Sequence, residues 1–163
     1  MTFDEMKHEL VHLGNGAHAL AYQILGNPDD AADAVQDALV TALSKPRSYN
    51  AKKGPLKPWF LRVVRNRCID LIRQRKRSEP DVETLADTGA RSPEESAIGQ
   101  ERDDALVTAL LSLSADHREV IVLRDYLGLS YQDVATTLDI AIGTVMSRIH
   151  RARLALREAL DAR

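Results

Sequence analysis

The sequence predicts an all-α fold of two small helical domains joined by a flexible acidic linker, the second containing a helix-turn-helix. Three observations carry this. Apolar residues recur at helical spacing along the chain, and nowhere do β-branched residues alternate with polar ones over a strand's length. Charge is segregated: residues 45–77 hold 12 Lys and Arg against one acid, Asp70 (+11), while residues 78–104 hold two Arg against nine acids (−7). The whole-chain balance of −2 hides this. A basic block followed by an acidic one marks two modules and a connector. Last, Leu129-SYQDVATTLDIAIGTVMSRIHRAR-Leu154 reads as two helices with a tight turn, the second basic and free of acid.

The elements follow in order. A first helical stretch covers Phe3 to Leu25, bent at Gly14-Asn15-Gly16. Gly26-Asn27-Pro28 ends it, and Pro28 suits the first turn of the next helix, where its missing N–H costs nothing. That helix, Pro28 to Ser44, buries Ala31, Ala34, Val35, Ala38, Leu39, Ala42 and Leu43, and turns Asp33, Gln36, Asp37 and Val40 outward. A Pro/Gly/Lys-rich loop, Lys45 to Lys57, leads into a long basic helix, Pro58 to Arg77. Residues 78–100 are acidic, small and poor in aromatics, the composition of a flexible tether. Helices are expected at 101–112, 115–127, 131–138 and 142–160. Ser114 caps the second of these. Ser130 with Asp133 starts the third as a capping box does, and Asp139 to Ala141 form the turn. The expected domains are therefore 1–77, a linker 78–100, and 101–163.

Composition sets further bounds. At 163 residues the chain holds one medium domain or two small ones. A single cysteine, Cys68, rules out an internal disulfide and fits a reducing compartment; inert burial is expected of it. No apolar run approaches a membrane span, and acids interrupt the N-terminal MTFDEMKHEL, so it does not read as a signal peptide. The expected location is cytoplasmic, without membrane insertion.

The last helix has the form of a DNA-reading element. Val145, Ile149, Ala152, Leu156 and Leu160 share one face, and Gly143, Ser147, His150 and Arg151 fall opposite. Gly143 lets the backbone come close to a major groove, and Arg151 can fork onto a guanine edge. Arg148, Arg153 and Arg157 flank that face, where phosphates would lie. The bland alternative is an amphipathic helix with a solvated arginine face.

Three motifs together resemble the extracytoplasmic-function sigma factors of bacterial RNA polymerase, of the sigma-70 family. GNPDDAADAVQDALVTAL is similar to the family's polymerase-binding helix. WFLRVVRNRCIDLIRQRKR is similar to its −10 helix, and LSYQDVATTLDIAIGTVMSRIHRAR to its −35-binding end. The match runs from about Ala17 to Leu160, and three motifs in this order are strongly specific.

The resemblance implies roles. Asp33, Gln36, Asp37 and Val40 would dock on the clamp helices of the largest polymerase subunit, an acidic face for a basic partner. Ala32, Leu39 and Leu43 depart there from the usual Glu, aromatic and Trp. The −10 element would be opened by phosphate neutralisation from Lys57, Arg62, Arg65, Arg67 and Arg73. A pocket for unstacked bases would lie around Tyr49, Asn50, Lys52 and Lys53, with Asn66 near the fork. Trp59 either touches DNA or packs beneath the loop; its neighbours Phe60, Val63 and Val64 favour packing. Asp70 is expected to pair along its helix with Arg67 or Arg73. Gly143, Thr144, Met146, Ser147, Arg148, His150, Arg151 and Arg153 would meet the −35 element. Ala141 replaces a common proline and Met146 a common arginine, which should shift −35 preference. His150 is either a base-edge contact or an exposed neutral histidine. The implied partners are core RNA polymerase, through the clamp helices and the flap of the second-largest subunit, promoter DNA, and an anti-sigma factor. In the family the acidic connector threads toward the RNA exit path; a solvated tether explains its composition equally well. No cofactor and no catalysis are implied.

Two other readings compete. One is a helix-turn-helix regulator acting without polymerase, which leaves the N-terminal motifs unexplained. The other is a zinc-dependent hydrolase. His8-Glu9-Leu10-Val11-His12 satisfies H-E-x-x-H, His18 stands where metzincins place a third ligand, and Glu9 would be the general base. Only seven residues precede this motif and no strand is expected to form a cleft. A non-catalytic metal site on His8, His12 and His18 is the milder version.

Overall fold

The computed structural model describes residues 1–78 and 100–162, with side chains from residue 104 onward in the second segment; most of the expected linker lies outside the described residues. Among the described residues every regular element is helical. Four helices form the first module: α1 (Phe3–His12), α2 (Gly14–Leu25), α3 (Pro28–Ser44) and α4 (Leu56–Ser78). Four form the second: α5 (Gln100–Ser112), α6 (Ala115–Ile121), α7 (Tyr131–Leu138) and α8 (Ile142–Asp161).

Local chemistry sets the boundaries. At the start of α1, Thr2 Oγ1 accepts from the Glu5 amide at 3.2 Å and Glu5 Oε2 accepts from the Thr2 amide at 2.8 Å, a reciprocal capping box. Those bonds favour the Glu5 carboxylate and lower its pKa. The predicted bend is a break at Leu13, between α1 and α2. Gly26 closes α2 in the left-handed region at φ 73°, open to a residue without Cβ. Asn27 then caps α3, its Oδ1 accepting from the Asp29 and Asp30 amides with Pro28 in the first turn.

The first core is built on small residues. Ala31, Ala34, Ala38 and Ala42 of α3 are buried, which lets α2 and α4 approach closely. Leu10, Leu20, Phe60, Leu61 and Val64 fill the space between. Cys68 is fully buried there, and burial pushes its thiol up to about 12. At about pH 8 only about one thiol in ten thousand would be ionised. The folded protein is therefore expected to resist alkylation by iodoacetamide and to react fully once unfolded in guanidinium. Mass spectrometry of the two samples checks this.

The second module departs from expectation at one place. The helix expected over 115–127 is α only to Ile121, then widens into a π turn over Val122–Tyr126, closed by the Leu127 amide donating to Val122 O at 2.8 Å. Gly128 at φ 73° and the Arg124 guanidinium, donating to Leu129 O at 2.7 Å, hold the following corner. Ser114 and Ser130 cap α6 and α7 as expected. Val145, Ile149 and Ala152 are buried on α8, and Leu156 is partly buried. Leu160 was expected on the same stripe but is 37% exposed. It stands about 20° around the helix from buried Ile149 but in the last turn of α8, so its exposure reflects the end of the helix and not its face.

The modules are not independent in this structure. α4 packs on α7 and α2 on α6, and one buried cluster runs through both. No described helix is long and apolar enough to cross a membrane.

Candidate nucleic-acid interface

The loop between α3 and α4 is held by its own side chains. Two short 3₁₀ turns, Pro46–Ser48 and Ala51–Lys53, give it shape. Asn50 Oδ1 accepts from the Lys52 amide at 3.0 Å. The Tyr49 hydroxyl donates to Gly54 O at 2.9 Å, and its ring lies 5.2 Å from that of Trp59. Gly54 sits at φ 143°, a conformation closed to most side chains. Trp59 is partly buried against the core, so of its two readings packing is the one seen here. Burial pushes the Tyr49 phenol up, with Glu9 adding to the effect. Tyr49 and Asn50 thus shape the loop, while Lys52 and Lys53 project into solvent. A cavity of about 320 Å³ opens beside it, lined by Pro46, Arg47, Tyr49 and Ala51 on one side and Met1, Thr2, Phe3 and Met6 on the other.

α4 carries the other cations. Asn66 and Arg73 are exposed. Arg67 does not pair with Asp70, as expected from spacing along the helix. Its Nε donates to Asp37 Oδ2 of α3 at 3.1 Å, because packing brings α3 closer than the next turn. Arg75 similarly meets Asp30. Lys57, Arg62 and Arg65 reach the second module. On α3, Asp33, Gln36, Asp37 and Val40 are all exposed, as their spacing required.

On α8 the expected face is present. Gly143, Met146, Ser147, His150 and Arg151 are exposed, and Thr144 and Arg148 are partly buried. Arg151 folds back on its own helix, Nε donating to Ser147 O at 3.3 Å, with no carboxylate paired to it among the described residues. Arg153 is different. It makes two bonds to Asp125 on the π turn, at 3.2 and 2.6 Å, and that carboxylate holds its pKa up. Ala141 caps α8 without a side-chain bond, so no side chain satisfies the first amides of the helix.

The three histidines do not converge. His8 and His12 Nε2 lie 3.1 Å apart on α1, but His18 Nε2 meets Pro28 O at 3.1 Å and its ring stacks on Tyr22. No group of three or more potential ligands is assembled among the described residues. The metzincin-like arrangement fails because the His18 ring is turned to Pro28 O and Tyr22 and not to the His8–His12 pair.

One interface residue had no signal in the sequence. Glu119, between Arg118 and Val120, reads as an ordinary surface acid but is buried against Arg65. Burial pushes its carboxyl up and the Arg65 guanidinium pulls the other way. Only the docking of α6 near α4 puts it there.

Comparison with known proteins agrees with this architecture. The Sigma-70 region 2 family matches residues 11–78, and the Sigma-70 region 4 family matches residues 103–156. The chain is 37% identical to the ECF RNA polymerase sigma factor SigL of Mycobacterium tuberculosis, covering 86% of this chain and 80% of that one. It is 31% identical to SigW of Bacillus subtilis, with 88% and 82% covered. Against SigE of Mycolicibacterium smegmatis it is 34% identical but spans only 56% of that protein's length. Among solved structures it is similar to the sigma factor RpoE of Bartonella quintana, crystallised with the anti-sigma factor NepR (TM-score 0.78, 32% identity, 96% and 97% covered). CnrH, solved with the cytosolic domain of CnrY, shares the fold at TM-score 0.71. Two helical modules in this order, with these matches over nearly the whole chain, mean that the chain belongs to the extracytoplasmic-function RNA polymerase sigma factors of the sigma-70 family.

Proposed function

We propose that this sigma factor is a cytoplasmic, non-enzymatic promoter-specificity subunit that works without a cofactor. Residues 1–77 bind core polymerase and the −10 element, residues 78–100 tether, and residues 101–163 read the −35 element. The observation that carries this reading is the division of charge on the first module: an exposed acidic face on α3 and a cationic α4 in one packed unit. A regulator acting without polymerase would have no use for the first of these.

Each part has a physical task. Asp33, Gln36, Asp37 and Val40 present carboxylates, an amide and an apolar contact to the clamp helices of the largest subunit. The cations of α4 neutralise phosphates, and the cavity beside Tyr49 accepts an unstacked base while Lys52 and Lys53 hold the backbone. Arg151 reads a base edge, with Gly143, Thr144, Ser147 and His150 around it. Met146, 48% exposed, offers an apolar contact where relatives put a charge. The flap of the second-largest subunit supports the second module. Neither DNA site needs high affinity alone, because the polymerase scaffold gives each a high effective concentration for the other. By likeness to the sigma factor solved with NepR, an anti-sigma factor is a further partner.

Asp33→Arg should weaken core binding by about 2 kcal/mol, or about 30-fold, because it places like charge against a basic partner. Asp33 is the residue of choice because Asp37 is engaged with Arg67. Competition against the unmodified chain for core polymerase measures it. The two-site mechanism is tested by adding about five base pairs, about half a helical turn, between the two promoter elements. Initiation should fall to background. Undiminished initiation would mean the modules do not act from one scaffold.

A further inference from the structure

Two histidines of α1 have no part in polymerase or promoter binding as proposed above. Met6 and Leu10 turn inward from this helix, and exposed His8 and His12 stand about 200° around it from them, on the solvent side. Four residues apart, the two side chains sit one above the other. Their Nε2 atoms face each other at 3.1 Å, with ring centroids 4.5 Å apart and planes at 75°. One proton on one Nε2 makes this contact as a hydrogen bond, the other Nε2 offering its lone pair.

The same separation is the bite of a metal ion. With metal–nitrogen bonds of about 2.0–2.1 Å, nitrogens 3.1 Å apart subtend about 100° at the ion, between the octahedral and tetrahedral angles. The ion takes the place of the shared proton. That proton leaves Nε2 for solvent, Nδ1 of the same ring takes one up, and both neutral rings aim a lone pair at the metal. Imidazole nitrogens suit zinc, copper and nickel, whereas magnesium and calcium prefer oxygen. Nearby acids are placed elsewhere: Glu5 accepts from the Thr2 amide, and Glu9, about 100° around the helix from His8, acts on the Tyr49 phenol. No third ligand joins the pair among the described residues, so water fills the remaining positions.

We propose that His8 and His12 form a two-histidine site for a divalent transition-metal ion of the zinc, copper and nickel class, which clamps α1 as a reversible effector and not as a cofactor of initiation. A helix of ten residues is too short to persist by itself, and the buried residues that anchor this one are Met6 and Leu10. The capping box at Thr2 and Glu5 fixes only the first turn. An ion bridging His8 to His12 closes the turn that follows Met6. Thr2, Phe3 and Met6 form one wall of the cavity beside Tyr49, so the clamp also stiffens that wall.

The test uses the untagged full chain and zinc ion alone. Isothermal titration calorimetry reads binding, and hydrogen–deuterium exchange with mass spectrometry reads the opening of α1. One zinc ion per chain is expected. His8→Gln or His12→Gln should each weaken binding about 100-fold, because each removes the ligand that binds intramolecularly. Both side chains are exposed, so neither change disturbs the core. At zinc ten times its Kd, amides that exchange through opening of α1 should slow about tenfold, while those of α8 keep their rates. The same concentration of magnesium should leave both helices unchanged. Three results overturn the proposal: no zinc binding, zinc binding that survives the His8→Gln, His12→Gln double variant, or zinc binding that leaves exchange in α1 as fast as before.

Discussion

Phe60→Ala is expected to destabilise the first module by about 3–5 kcal/mol, the range for truncating a buried aromatic side chain. Phe60 is fully buried on α4 within the cluster joining α2, α3 and α4, beside Leu61 and Val64. The buried residues of α3 in the same cluster are mostly alanines, whose short side chains cannot swing in to fill the space. The residual cavity should therefore stay open and the cost should fall toward the upper end of the range. Set against a typical domain stability of about 5–15 kcal/mol, this leaves the module marginal. Urea unfolding monitored by the fluorescence of Trp59, the sole tryptophan, reports the change next to the substitution. The midpoint should fall with little change in slope, because the surface exposed on unfolding is nearly the same. A loss below about 1 kcal/mol would mean the site collapses freely and the core is less tightly packed than the full burial of Phe60 implies.

Arg151→Ala should cost about 1–3 kcal/mol in binding to the cognate −35 element, about 5-fold to 150-fold, and should relax specificity at one base pair. The side chain is exposed at the centre of the α8 face, bonded among the described residues only to Ser147 of its own helix. Among the described residues no ion pair would have to break for it to reach a guanine. Arg153 makes the comparison. It is tied to Asp125, so Arg153→Ala should loosen the corner between the π turn and α8 and weaken all sequences alike. Gel-shift assays of both variants on a promoter set with each −35 base pair permuted separate the two outcomes. Equal loss on every sequence for Arg151→Ala would make it a phosphate contact.

Much of the fold was legible because its signals are local. Gly26-Asn27-Pro28 marks the α2–α3 corner, Ser114 and Ser130 mark two helix starts, and the alanine spacing on α3 marks its buried face. The outward face of α3 and the Arg151 face of α8 follow from the same periodicity. What could not be read depends on contacts between distant segments. Arg67 has an acid three residues on, yet it meets Asp37, thirty residues back, because tertiary packing outweighs a weak intrahelical pair. The π turn at Val122–Tyr126 has no compositional mark. Glu119 looks like a surface acid until α6 docks on the first module and buries it against Arg65. His18 illustrates the opposite error: a spacing that fits a metal site on paper is broken by a bond to Pro28 and stacking on Tyr22.

The central claim is that this chain directs core polymerase to promoters through two DNA sites. Purified protein and sigma-free core polymerase, run in vitro on a library of promoter fragments with random DNA as control, test it most directly. Discrete transcripts whose templates share two elements at fixed spacing are expected, and none from core polymerase alone. DNA binding that ignores polymerase, with no transcripts above the random-DNA control, would contradict it.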